Sequence, residues 1–224
     1  MGLLNNKFSK LELCRLCGED NVSTFFIDNH NGGKIFFRCT NCKLIFVQQE
    51  CLPDPTVEKD RYLSHNNDLD DPAYQAFLSK LWNPLEKLLE KGNTGLDYGA
   101  GPGPALMQMM SRAGYLVEMY DPFFANDKHV LDKTYDFIVC TETAEHFHNP
   151  SNEFNRFDQM LKHTGVLGVM TSFTDNISSF GDWYYRRDPT HVSFYSNHTM
   201  YWIASKMNWR IELIEDNIVI FYKT

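Results

Sequence analysis

The sequence predicts an α/β protein: a doubly wound, mixed sheet with helices on both faces, closed by an antiparallel C-terminal hairpin and preceded by a small cysteine-rich ribbon. Three observations predict it. The run Leu96-Asp97-Tyr98-Gly99-Ala100-Gly101-Pro102-Gly103-Pro104 ends an apolar strand in an acid and then sets three glycines within five residues. Beyond it, apolar strands alternate with segments of helical periodicity. Ahead of it stand two Cys-x-x-Cys pairs. The expected organisation is a ribbon over residues 10–50, a linker and helical lid over 51–92, and the sheet domain over 93–224.

Of the six cysteines, four lie as Cys14-x-x-Cys17 and Cys39-x-x-Cys42 with 21 residues between the inner pair, and Gly18 follows the first pair as the release of a tight knuckle. Four thiolates at that spacing surround a tetrahedral Zn2+. An iron centre or disulfides are the poorer alternatives, because nothing else suggests secretion. Thr24–Ile27 and Lys34–Arg38 read as strands flanking the turn Asn29-His30-Asn31-Gly32-Gly33, and Leu44–Val47 as a third strand. A unit this small buries too little apolar surface to fold alone, so the metal is expected to supply folding energy, and four thiolates leave it no open position for chemistry. Cys51 and Cys140 read as ordinary small apolar side chains.

Pro53-Asp54-Pro55 reads as a linker or sharp turn, followed by Glu58–Leu63, the polar stretch 64–68 and a helix start at Asp71-Pro72. Tyr74, Phe77, Leu78, Leu81, Leu85, Leu88 and Leu89 then recur at helical spacing from Ala73 to Lys91, with Pro84 bending or dividing the helix and Gly92 ending it. Tyr62 and Tyr74 are lid candidates, and Trp82 reads as core. After the glycine turn, Ala105–Met110 reads as a helix and Tyr115–Asp121 as a strand ending in an acid, 20 residues past Gly101. A carboxylate there accepts hydrogen bonds from a ribose diol in dinucleotide-binding folds. Tyr135–Cys140 and Gly165–Thr171 are further strands. Ser196 caps a helix over 197–207, and Arg210–Glu215 and Ile218–Tyr222 form the closing hairpin. Asp97, Gly99, Asp121, Glu142, Glu145 and His146 all fall at the carboxyl rim of the sheet, where such folds bind ligands.

With these residues in place, the block from Leu96 through Thr171 resembles the class I S-adenosylmethionine-dependent methyltransferases, which have a Rossmann-like sheet; the likeness runs over roughly residues 70–224. Asp97-Tyr98-Gly99-Ala100-Gly101-Pro102-Gly103 resembles their first motif and Asp121 their ribose-binding acid. Tyr135 through Phe147 is similar to the segment many small-molecule members carry. The resemblance implies that Asp97, Gly99, Gly101 and Gly103 face the methionyl part of the cofactor, that Asp121, Pro122 and Phe123 face its nucleoside, and that Glu142 and Thr143 lie where cofactor and substrate meet. The departure is the stretch between Asp121 and Tyr135. Its 13 residues are too few for the helix and strand the family places there. Either the sheet has lost a strand or 129–131 supplies a stub, with Phe123, Phe124 and Asp127 as candidates to cover adenine.

Methyl transfer needs an acceptor in line with the methyl group and, unless that acceptor is already a good nucleophile, a base. His146 is the first candidate, since an imidazole titrates near neutrality. Glu145 beside it is expected to do a different job, their side chains diverging by about 100° on a helix. His148 is a weaker candidate, and a metal at 145, 146 and 148 is not expected because three such positions on a helix do not converge. The non-repeating stretch 172–196 mixes aromatic walls with charge and is expected to bear the substrate. His191 in it stands in an H-x-x-F segment similar to one that lies near the active site in such methyltransferases, and that resemblance implies a second acid-base or orienting candidate; Arg186 and Arg187 read either as an anion clamp or as a solvated pair.

The expected function is methyl transfer to a small molecule. The alternatives are methylation of ribosomal or transfer RNA bases, and a non-catalytic cofactor-binding scaffold. A net charge of −8 without charge runs argues against a polyanion surface, unless Lys34, Arg38 and Lys43 make a basic stripe to the pocket. No apolar stretch approaches the roughly 20 residues of a bilayer span, and the N-terminus has no signal-peptide pattern. Met1-Gly2 lacks the Ser or Thr at position 6 of a myristoylation site. A cytoplasmic protein is expected, and a homodimer pairing ribbon strands across a two-fold axis stays open.

Overall fold

The computed structural model describes residues 12–29, 33–64, 68 and 70–224. Met1-Gly2, positions 30–32 of the expected ribbon turn and 65–67 of the polar stretch lie outside them. In chain order, the ribbon strands are β1 (Val22–Asp28), β2 (Lys34–Cys39) and β3 (Ile45–Val47). Helices α1 (Pro55–Leu63) and α2 (Pro72–Glu86) follow. Next come β4 (Thr94–Tyr98), α3 (Ala105–Arg112), β5 (Leu116–Tyr120), β6 (Tyr135–Thr141), α4 (Pro150–Met160) and β7 (Leu161–Met170). The chain closes with β8 (Ser193–Phe194), α5 (Asn197–Met207), β9 (Trp209–Glu215) and β10 (Ile218–Lys223).

Helix starts obey local chemistry. Asp54, Asp71 and Asn149 each stand before a proline and accept a backbone N–H of the first turn, and Ser196 makes a capping box with Thr199. The end of α2 departs from expectation. Pro84 brings no N–H to the helix, which stops two residues later; Leu88 and Leu89 donate to carbonyls three residues back, at Leu85 and Glu86. Past the helix end Leu89 still packs on the core while Leu88 is exposed.

The main sheet has the order β5-β4-β6-β7-β10-β9, its first four strands parallel and its last two antiparallel. Beyond β5 there is no further strand among the described residues. The short connection makes a β-bridge between Asp121 and Ala125 and a 3-10 helix over Lys128–Asp132. The sheet has lost the strand that the family places there, and 129–131 form a helical turn rather than a strand stub.

Two-residue alternation sorts the core onto both faces of the sheet. Phe137, Val139, Val166, Met170, Ile218 and Ile220 pack with Leu78, Leu81, Trp82 and Leu85 of α2 and Leu106 and Met110 of α3. Ile138, Cys140, Leu167, Val169, Val219 and Phe221 pack on the opposite face with Phe154, Phe157 and Met160 of α4 and Met200 and Ile203 of α5. This second layer continues into the ribbon, taking in Cys14, Leu16, Cys39, Cys42, Leu44 and Phe46.

The ribbon sheet also recruits the distant chain. Its order is β1-β2-β3-β8, so the loop after β7 contributes its fourth strand. Arg186 fastens the same loop from the other side. Its Nη1 lies 2.6 Å from Asp28 Oδ2, its Nε donates to Phe180 O at 2.8 Å, and its guanidinium lies over the Phe26 ring. Arg186 is thus neither a substrate clamp nor a solvated charge; it joins the loop to β1. Replacing it with alanine removes the guanidinium that neutralises the buried Asp28 carboxylate. The expected loss is about 3–5 kcal/mol of unfolding free energy. A urea midpoint shift worth less than about 1 kcal/mol would show the pair to be dispensable.

Candidate functional site

A cleft of about 990 Å³ opens at the carboxyl ends of β4, β5 and β6. Its volume lies at the upper end of the roughly 300–1,000 Å³ of small-molecule sites, enough for a nucleoside donor and a small acceptor together. The glycine turn forms one wall. Gly99 has φ +80°, and a Cβ there would meet the Thr143 side chain at 2.2 Å, so this position needs glycine on both counts. Asp121, 6% exposed, ties the turn to the next strand. Its Oδ2 accepts Gly101 N at 2.9 Å and its Oδ1 accepts Phe123 N and Phe124 N at 2.8 and 3.1 Å. Gly103, Pro122 and Phe123 line the same wall. Phe124 and Asp127 do not; Asp127 caps the 3-10 turn through His129 N.

Asp97 closes the floor, and burial pushes its carboxyl up to about 7, against a backbone hydrogen bond at Met107 and with help from the charge of Asp121. The sign follows. A raised carboxyl favours the protonated folded state, a contribution fully present below the unfolded value near 3.8 and lost as pH rises through about 7. A cationic ligand beside Asp97 prefers the ionised form. Affinity for a cationic ligand such as the S-adenosylmethionine that the resemblance implies is therefore expected to rise between pH 6 and 8 and level off above, and Asp97→Asn to flatten that rise. Calorimetric titration across pH decides it, and a pH-independent wild type would refute it.

Glu142 takes a left-handed φ of 47° at the end of β6, and burial together with the charge of Glu145 pushes its carboxyl up to about 9. Glu145 and His146 stand on a single 3-10 turn, Ala144–His146, rather than on the α-helix expected. Glu145 is 1% exposed, and its Oε2 accepts the Thr171 hydroxyl at 2.8 Å. The Tyr185 hydroxyl lies 3.2 Å from Thr171 Oγ1 and donates to Glu142 Oε2 at 3.3 Å, joining the two acids. His146 Nδ1 faces Thr190 O at 3.0 Å, and its ring packs edge-on to His191 and Tyr62. His191 is buried against Tyr185, and that burial pushes it down to about 4, so it is neutral at pH 7.

Glu58, Arg61 and Tyr62 of α1 and Tyr74 and Phe77 of α2 line the cleft, while Trp82 packs in the core against Tyr115 and Phe137. Arg61 pairs with Asp188 at 2.8 Å, and His148 Nε2 lies 3.1 Å from Glu58 Oε1, so the cleft wall touches α1 at both positions. Sequence reasoning missed Tyr98, Glu153 and Arg156. Arg156 donates to the Tyr98 hydroxyl at 2.7 Å and to Glu153 at 2.6 Å, and Tyr98 bonds Glu153. The available signal was an opposite-charge pair three residues apart in the first turns of a helix.

The cysteine cluster forms a second site. Cys14 and Cys42 sulfurs lie 3.4 Å apart, as do those of Cys17 and Cys39, and all four fall within 4.8 Å of one another. Zn–S bonds of about 2.3 Å place tetrahedral sulfurs about 3.8 Å apart, so the cluster fits a zinc ion. Both knuckles end in a left-handed residue, Gly18 at φ 77° and Lys43 at φ 61°. The first was legible as a glycine; the second was not.

The sequence matches a protein-family model described as a methyltransferase domain over residues 69–214. No curated protein matches it. Among solved structures it is similar to the 1,6-didemethyltoxoflavin-N1-methyltransferase of Burkholderia thailandensis, with S-adenosylhomocysteine bound. That likeness has a TM-score of 0.53 at 13% identity and covers 90% of this chain and 99% of that one. It is also similar to a SAM-dependent methyltransferase from Archaeoglobus fulgidus, with a TM-score of 0.52 at 15% identity over 66% and 94% of the two chains. At such identities the likeness is one of fold.

Proposed function

Because the chain belongs to the methyltransferase-domain family, as an S-adenosylmethionine-dependent enzyme with the class I fold, we propose that it methylates a small-molecule acceptor bound in the cleft at the strand ends. The observation that carries this reading is one cavity lined jointly by the glycine turn, Asp121 and the group Glu145, His146 and His191. When bound, S-adenosylmethionine supplies a methyl group on a sulfonium, ready for displacement by a nucleophile. Asp121 holds the ribose hydroxyls, the glycine turn that Gly99 packs against Thr143 faces the methionyl chain, and Phe123 covers part of the adenine. Asp97 receives its positive charge, and Glu142, kept neutral at pH 7 by burial and by Glu145, lines the wall where cofactor and acceptor meet. His146 or His191 serves as base or orienting group for the acceptor. Tyr62, Tyr74 and the loop 184–191 exclude water around it.

The four thiolates hold a structural Zn2+ in this reading, with no position left for substrate. The enclosed cleft and the acidic chain favour a small acceptor over RNA. Lys34 donates to Pro189 O at the cleft, but Lys43 turns back onto Thr40 O and Arg38 lies over Phe25, which does not support a basic stripe. Among the described residues, no helix is long and apolar enough to cross a membrane.

Calorimetric titration of the zinc-loaded protein with S-adenosylmethionine and with S-adenosylhomocysteine tests the reading. Saturable, mutually competitive binding near 1:1 is expected. The absence of heat from either would overturn it.

A further inference from the structure

We propose that Glu145, His146 and His191 bind a divalent transition-metal ion within the cleft, and that the acceptor is an oxygen nucleophile, a hydroxyl or phenol, held on that ion. The proposal rests on the methyl-transfer reading and adds to it the class of acceptor.

Geometry carries it. One ligand atom from each of the three residues lies within 4.8 Å of the others. Glu145 Oε1 and His191 Nδ1 are both buried without a hydrogen-bond partner. Two buried polar atoms without partners in one ligand cluster are rare in a folded protein, because each has given up water for nothing; a bound ion would satisfy both. Glu145 Oε1 and His146 Nε2 are 3.9 Å apart. That is too long for a hydrogen bond, but it falls within the separations of about 3.0–4.2 Å between two ligands that each stand about 2.1 Å from one ion.

The surroundings orient the ligands as metal sites require. The Thr190 carbonyl accepts a hydrogen bond from His146 Nδ1–H, which leaves the Nε2 lone pair facing Glu145. The Thr171 hydroxyl engages Glu145 Oε2 and frees Oε1. Val192 N donates to Glu145 O at 2.8 Å, so the segment carrying His191 is pinned to the turn carrying the other two ligands.

The donor set identifies the ion class. Two imidazoles and one carboxylate suit Zn2+, Mn2+ or Fe2+, whereas Mg2+ and Ca2+ prefer oxygen throughout. Three protein ligands leave positions open toward the cleft, the arrangement of a catalytic rather than a structural metal. An ion there lowers the pKa of a bound hydroxyl. The oxygen lone pair then forms the new O–C bond, the C–S bond breaks with its electron pair left on sulfur, and the hydroxyl proton passes to solvent. The products are a methyl ether, S-adenosylhomocysteine and one proton. In this scheme the two imidazoles orient the acceptor through the ion and do not take its proton.

The test titrates the protein, ribbon zinc intact, with Mn2+ and follows free ion by electron paramagnetic resonance. About one Mn2+ per chain is expected beyond the ribbon metal. His191→Ala and Glu145→Gln should each weaken it at least tenfold, and Thr171→Val, which keeps all three ligands, by about tenfold. Circular dichroism and S-adenosylhomocysteine titration of each variant report folding; Thr171→Val and His191→Asn stand in should Glu145→Gln fail to fold. Absence of Mn2+ binding by the wild type, or binding that none of these substitutions moves, would overturn the metal site while leaving methyl transfer standing. Failure of the wild type to bind S-adenosylhomocysteine would instead remove the methyl-transfer reading, whatever Mn2+ does.

Discussion

Serine in place of Cys39 is expected to strip the ribbon of its zinc and to lower the melting temperature by roughly 10 °C or more. Cys39 is fully buried, its sulfur 3.4 Å from that of Cys17, and its side chain belongs to the core layer shared with α4 and α5. The damage should extend to the cleft. β3 pairs with β8, Val47 N donates to Val192 O at 3.0 Å, and Val192 in turn holds Glu145. A ribbon without its metal therefore releases the wall that carries His191, and cofactor affinity should fall along with zinc content. Metal analysis and thermal melts on the purified variant check this. Zinc content unchanged by Cys39→Ser would defeat the four-thiolate site.

Asp121→Ala is expected to weaken S-adenosylmethionine and S-adenosylhomocysteine alike, by about 10–100-fold, or roughly 1.4–2.8 kcal/mol. The two ligands share their ribose and differ only at sulfur, so an equal loss marks the ribose contact. The variant also leaves Gly101, Phe123 and Phe124 N–H without the carboxylate that now receives them, which loosens the glycine turn. Asp121→Asn separates the two effects, because its amide oxygen retains part of the backbone pairing. Zinc content should be the same in all three proteins. Affinity in Asp121→Ala equal to the wild type would remove Asp121 from the cofactor site.

How much of the site was legible differs from residue to residue. Gly99 was legible because a left-handed turn at a strand end demands a particular residue, and Asp121 because its distance from that turn follows from one strand and one helix. Glu145 and His146 were placed at the rim correctly, but on an α-helix. The chain makes one 3-10 turn there, since Phe147 and His148 must lead directly to the Asn149 cap of α4. His191 was named from the resemblance of its H-x-x-F segment to the family, yet nothing local placed its ring beside that of His146, 4.8 Å away between centroids. Arg186 read as an anion clamp or a solvated charge, and not as a buried tie to Asp28, because exposed and buried arginines read alike in sequence.

By itself the sequence determined those features that short spacing and periodicity encode: the thiolate pairs, the glycine turn, the proline-led helix starts, the two-faced strands and the C-terminal hairpin. Each depends on residues within a few positions of one another, where backbone geometry allows few arrangements. Tertiary structure alone decided that β8 completes the ribbon sheet, that Arg186 reaches Asp28, and that Glu145, His146 and His191 converge. A two-residue strand carries no periodicity to announce itself. Its partner is chosen by which edge lies within reach once α4, α5 and the ribbon have packed into one layer, and that choice is made by burial across the whole chain rather than by any local run of residues.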